Sequence, residues 1–329
     1  MPAREQVRAR VETYVQPLVA GLVALVTLIG LIGPAIKSPS PHDIPVGLVG
    51  PPPATQQLAT AFATNAPGAF HFTSYGTETE ARAAIDARDI DGALVLGSGR
   101  PHLIIAGAAG DGATGVITGA FTNVFQSQGQ TIAVETVHPF APGDPHGLIL
   151  FFVILAVLVS TLIAQALEGL RRGVSFAARL ALVVVFAMVA APVAMGVATW
   201  IAGDYGSGFW TATALVALGS AAIGAVVAGA AALLGRPGVA LAALVAVLLD
   251  LVCSGGPIGS QLLPDVYRWL APGMPAGQLF SGIRGALYFE NAGISTPVTV
   301  LSLWLAAGLV LVLLGALVTR RGAAHGADR

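Results

Sequence analysis

The chain has 329 residues, 55% of them hydrophobic and only 10% charged, with a formal net charge of -1 and a mean hydropathy of +0.79. An ordinary soluble domain carries about 25% charged residues, so the composition excludes a single soluble globule and points to a membrane protein. With Cys253 as the single cysteine, the outer region folds without disulfides, and a cysteine-based structural zinc site is excluded.

The first residues, "REQVRARVETYV", place Val7, Val11, Tyr14 and Val15 at helical spacing among charges. They read either as an amphipathic helix on the inner membrane surface or as a solvated extension of the first span. Residues 18–36 are charge-free and long enough for a bilayer core that needs roughly 20 apolar residues. A cleaved signal peptide is the other reading of this start. The run is long for one, and "GPAIKS" makes a poor cleavage site.

Residues 37–146 form the one large polar piece, entered through "KSPSPHDIP". The pattern predicts a strand at "IPVGLVG", a helix over "ATQQLATAFATN" and a strand at "AFHFTSY". The next helix, "TETEARAAIDARD", opens with Thr77 and Glu80 at capping-box spacing. "IDGALVLG" and "PHLIIAG" then pair around "SGRP", followed by a helix over "GATGVITGAFTNVFQSQ" and a strand at "TIAVETV". The expectation is a compact α/β domain. It holds nine acidic and four basic side chains, which makes it a poor nucleic-acid binder.

The exit, "HPFAPGDPHGLILFF", sets His138, Asp144 and His146 among three prolines. Histidine and carboxylate are acceptable metal ligands, but ligand sets normally come from rigid, anchored elements. Prolines make a stiff loop rather than a cage. A collar is expected, with Asp144 capping the helix that follows.

Further charge-free runs occupy residues 147–167, 180–203, 205–235 and 291–319, with a shorter one at 237–249 that stops at Asp250. With the first run this gives six expected spans. Ten of the sixteen basic residues lie in four short segments that six spans put on one side, so both termini are expected in the cytoplasm. "GSAAIGAVVAGAAALLG" in the fourth run predicts close helix packing. Residues 254–288 are too apolar for an ordinary loop and too rich in proline for one helix. Short helices re-entering the membrane are expected there. Asp250 and Arg284 are the candidates for a translocation path, and a pairing between them is one expectation. No P-loop, GxSxG or HExxH is present, so no catalytic chemistry is assigned.

The order of these parts resembles the permease subunits of type-2 ABC exporters, in the branch related to phage-infection-protein membrane proteins of Gram-positive bacteria. The likeness rests on "EARAAIDARDIDGALVLG", on the "HPFAPGDPHGLILFF" entry and on "SGGPIGSQLLPDVYRWLAPGMPAGQLFSGIRGALYF" before the last span. The expected fold is an α-helical polytopic membrane protein of six spans with an extracellular α/β domain inserted between spans one and two. Its parts are residues 1–36, 37–146 and 147–329, the last with a re-entrant segment near 254–288. The resemblance implies a plasma-membrane exporter of a hydrophobic or envelope-related substrate, non-catalytic itself and acting as a homodimer or with a paralogous permease. A separate cytoplasmic ATPase would use the ATP. The loop around Glu168, Arg171 and Arg172 would couple to it, and no cofactor is expected in this chain. The rival expectation is a non-transporting envelope scaffold or receptor.

Overall fold

The structure, a computed structural model, describes residues 15–327 apart from 38, 98, 170, 172 and 173. It divides into two units, residues 1–39 and 40–329. The first contains helix α1, Gln16–Lys37, across the expected first span, with Pro34 inside it.

The second unit begins with the α/β domain, built as β1 (Ile44–Val49), α2 (Pro52–Asn65), β2 (Phe70–Tyr75), α3 (Glu78–Asp86), β3 (Gly92–Val95), β4 (His102–Ala106), α4 (Asp111–Ser127) and β5 (Ala133–Val137). Every strand and helix expected in this stretch is present. The sheet order is β2-β1-β3-β4-β5, parallel except for the β3–β4 hairpin. The capping box forms as expected: Thr77 Oγ accepts from Glu80 N–H at 3.2 Å, and the Glu80 carboxylate accepts from Thr77 N–H at 3.3 Å.

The two faces of the sheet are covered unequally. Ile44, Val46, Leu48, Leu94 and Leu103 pack with Phe62 of α2 and with Ile117, Phe121 and Phe125 of α4. The opposite face, with Val49, Ala93 and Ile104, has only the nine-residue α3 over it. Residues from far along the chain complete both. Leu262 joins the first cluster with Ile258 against it, and Phe289 joins the second with Tyr288 and Ala292 beside it.

The remaining elements are α5 (Leu148–Gly169), α6 (Phe176–Ala202), α7 (Phe209–Leu234), α8 (Arg236–Ala243), α9 (Asp250–Cys253), α10 (Asp265–Leu270), α11 (Pro275–Tyr288) and α12 (Ser295–Ala327). Among the described residues, four helices are long and apolar enough to cross a membrane: Leu148–Glu168, Phe176–Ala202, Gly206–Leu234 and Ser295–Val318. This makes the chain a helical membrane protein. The expected span at 237–249 is not a single α-helix. α8 passes into a π-helical stretch over Leu244–Leu249 and then into α9. The chain turns at Gly255, whose φ of 71° suits a residue without a Cβ.

Helix α7 is the hub of the bundle. Its apolar window is 72% buried, against 39% or less for the other three, and it packs against α5, α6, α11 and α12. Its small residues make this possible. A Cβ on Gly308 of α12 would lie 2.6 Å from the Ala225 Cβ, and one on Gly315 would lie 2.5 Å from the Ala232 Cβ. Close approach between membrane helices depends on such residues. We expect Gly308→Leu to force α7 and α12 apart and to broaden or abolish the monodisperse peak of the full chain in detergent chromatography. An unchanged peak and an unchanged thermal midpoint would contradict this packing.

Candidate functional site

The segment 254–288 folds as the short broken helices that its prolines predict. α10 and α11 follow Pro264 and Met274, and α11 runs back along α7. Gly219 of α7 lies against Leu279, Gly282 against Leu215, and Gly208 against Ala286. At the start of this return, Trp304 Nε1 donates to the Gly273 carbonyl at 2.8 Å. Trp304 is about nine residues into α12, so α11 begins roughly 14 Å along that helix and ends near its start.

Asp250 fixes the N-terminal end of α11. Fully buried, it accepts from Ala276 N–H with both oxygens at 2.8 Å, and Gly277 N–H also points at it. A carboxylate on exposed helix N-terminal amides is a favourable arrangement. The pairing of Asp250 with Arg284 is therefore corrected. Asp250 is consumed by the amides at the start of α11, whereas Arg284, two to three turns further on, faces the α/β domain.

There Arg284 Nη1 donates to the carbonyls of Ala108 and Ala109, and the guanidinium lies 4.7 Å from the Phe280 ring centroid. Arg88 approaches the same region from the domain. Its Nη1 donates to Ser281 O at 3.0 Å and Ala292 O at 3.3 Å, its Nη2 to Ser281 Oγ at 3.1 Å, and it covers the Phe289 ring at 5.2 Å. Arg88 has φ 64° directly after α3, where Asp89 N–H bonds back to Ala84 O. Glycine is the usual residue at such a helix end. An arginine there gives up local backbone comfort for its contacts on α11.

Between these elements lies a cavity of about 670 Å³. Its walls include Arg88 and Asp91 of the domain, Ser254 beyond α9, Arg268 of α10, and Ser281 and Arg284 of α11. Sites for small ligands commonly measure about 300–1,000 Å³ and bring a few polar groups together. Asp91 accepts from Gln261 Nε2 at 2.9 Å. Burial pushes its carboxyl up to about 6, against the lowering influence of Arg284, Gln261 and Arg88. Burial likewise lowers the Arg88 guanidinium, with Asp91 opposing it. Arg268 sits 3.7 Å from Asp43 and 3.8 Å from Asp265.

The other expected site residues lie elsewhere. His138 pairs with Asp86 at 2.7 Å and His146 with Asp111 at 3.2 Å. Asp144 caps α5 through Ile149 N–H at 3.0 and 3.1 Å and Leu150 N–H at 3.3 Å. The three are thus held by three separate partners, and the cap is the one expected. At the far end of α5, Glu168 lies 3.9 Å from Arg171. Arg172 falls outside the described residues. Sequence reasoning found Arg284 but not Arg88, Asp91, Gln261 or Arg268. The only available signal was an arginine standing where the end of α3 would favour glycine.

Asp91 carries a pH signature. Its folded value of about 6 lies above the ordinary aspartate value of about 3.9. The folded chain therefore holds this proton more tightly than the unfolded one, and that stabilisation is present at low pH and lost as pH rises through 6. We expect Asp91→Asn to melt above the parent at pH 7.5, with the gap closing toward pH 4, by fluorimetric melting of the full chain in detergent. A gap independent of pH would rule this out.

No family model, curated protein or solved structure matches the chain. The cavity and the apolar helices are the features that bear on its function.

Proposed function

We propose that this chain is the permease subunit of an exporter that moves an amphiphilic, envelope-related substrate outward across the plasma membrane. A separate cytoplasmic ATPase supplies the energy, and the permease works as a dimer. In this reading α1 and the α8–α9 run join the four long helices as six spans, both termini are cytoplasmic, and the α/β domain is extracellular. Helix α11 then lies re-entrant in the outer leaflet.

The cavity carries the proposal. Its walls come jointly from the polar domain and from helices continuous with the apolar bundle. Beside it, α10 turns Val266 and Trp269 outward at 68% and 81% exposure while Arg268 lines the interior. Tryptophan is enriched at membrane–water interfaces, so α10 suits the headgroup level with lipid on one side and the cavity on the other. A scaffold has no need of such a chamber. Glu168 and Arg171, at the opposite end of α5, belong to the side on which the ATPase would couple.

The test is purification of the tagged full chain in mild detergent, followed by reconstitution with whatever ATPase co-purifies. Movement of a nitrobenzoxadiazole-labelled phospholipid between leaflets is then followed by dithionite quenching. ATP-dependent movement is expected, and Ser281→Trp, which fills the cavity, is expected to stop it. Absence of any co-purifying ATPase, with lipid movement no faster than in protein-free vesicles, would overturn the permease reading in favour of a scaffold.

A further inference from the structure

The cavity holds two guanidinium groups, those of Arg88 and Arg284, that form no contact ion pair among the described residues. Arg284 takes part in no ion pair within 4.0 Å among the described residues. Only its Nη1 is hydrogen-bonded, to neutral carbonyls, and its Nε is buried without a partner. No hydrogen bond from its Nη2 is found among the described residues, and Arg284 lines the cavity. Arg88 is near enough to be felt as a like charge. Its donors are also spent on neutral acceptors.

Asp91 is the one carboxylate that acts on both arginines. It makes a hydrogen bond to Gln261 instead of a contact pair with either guanidinium. Arg268, which also lines the cavity, is more than offset by Asp43 and Asp265. The group formed by Arg88, Arg284 and Asp91 therefore carries one excess positive charge locally, while over the whole lining Asp43, Asp89 and Asp91 balance the three arginines. Partly desolvated guanidinia without a contact anion are costly, and guanidinium donors bind phosphate and carboxylate oxygens better than they bind neutral carbonyls.

We propose that this cavity binds a singly charged anionic headgroup, a phosphodiester or carboxylate, with Arg284 as its principal donor and Asp91 as a competing internal anion. This rests on the permease reading and deepens it by naming the class of substrate. The site distinguishes amphiphiles by net charge. A zwitterionic headgroup supplies the same phosphate but adds a cation that the neighbouring Arg88 and Arg284 guanidinium groups repel. Asp91 limits affinity, since it already neutralises part of the field that the ligand would feel. Removing the two residues thus has opposite effects, which a merely structural role for either would not produce.

The experiment uses the full chain in an uncharged detergent and a fluorescent lysophosphatidylglycerol, with binding read by anisotropy against the matching lysophosphatidylcholine. The phosphodiester remains singly charged throughout the working pH range, so the probe itself does not titrate. One charge-assisted contact corresponds to about tenfold or more in affinity. Lysophosphatidylglycerol is expected to bind about tenfold tighter than lysophosphatidylcholine. Arg284→Gln is expected to erase that preference, Arg284→Lys to retain part of it, and Asp91→Asn to strengthen it severalfold.

Because Arg284 also holds the domain to α11, its variants are judged only where the melting profile is kept. Asp91→Asn retains the acceptor for Gln261 and provides the independent arm. Competition by glycerophosphoglycerol alone at concentrations similar to the lysolipid would assign the site to a soluble anion, and weak competition to a lipid; both support the anion site. Equal affinity for the two lysolipids, or a loss of affinity in Asp91→Asn, would overturn it. If that selectivity fails while ATP-driven lipid movement persists, the anion site is wrong and the permease stands. If selectivity holds without any movement, the anion site stands and the permease is wrong.

Discussion

The α/β domain does not close its own hydrophobic core. Its five-stranded sheet buries one face under α2 and α4 and the other under α3, and both clusters are completed by residues that follow the third long membrane helix. Ile258 and Leu262 fill one side, and Phe289 fills the other. Burial of a side chain of this size contributes about 1.5–3 kcal/mol, so the contacts have the scale of core packing. The domain and the segment 256–292 are accordingly one packed object. The cavity, the Arg88 bridge and the placement of α11 follow from that constraint.

The same constraint explains the division of labour between the carboxylates. Asp144 caps α5 at the chain's exit from the domain, and Asp250 caps the N-terminus of α11. Each side chain is nearly or fully buried, and each is satisfied by backbone amides. Asp91 differs: it has a single side-chain partner and two arginines at a distance. Polar groups already satisfied by the fold are poor candidates for exchange with a ligand, whereas incompletely satisfied ones invite it.

Local features of the sequence transferred well to the structure. The strand signals of β1 to β5, the Thr77 cap and the small residues of α7 each state a short-range rule, and each appears as expected. The broken character of 254–288 was legible because Pro264, Pro272 and Pro275 forbid a continuous helix. The partners of Asp250 and Arg284 were not legible. An isolated carboxylate and an isolated arginine among apolar residues suggest each other on electrostatic grounds. Backbone amides and carbonyls served both instead, and sequence spacing does not reveal where a helix end or an unpaired carbonyl will lie. Nor does it show that Arg88, 193 residues from Ser281, meets α11, because long-range contacts of this kind depend on the completed fold.

The late completion of the sheet has a consequence for biosynthesis. The last strand of the domain ends at Val137, yet Phe289 is made about 150 residues later. At a synthesis rate of roughly 5–20 residues per second, the domain waits about 8–30 seconds with apolar ground uncovered on both faces of its sheet. Only when the turn after α11 emerges is the last of that ground covered. A nascent chain of this design is thus most exposed to premature association during its own translation, and its insertion machinery must tolerate a domain that is topologically finished but not yet closed.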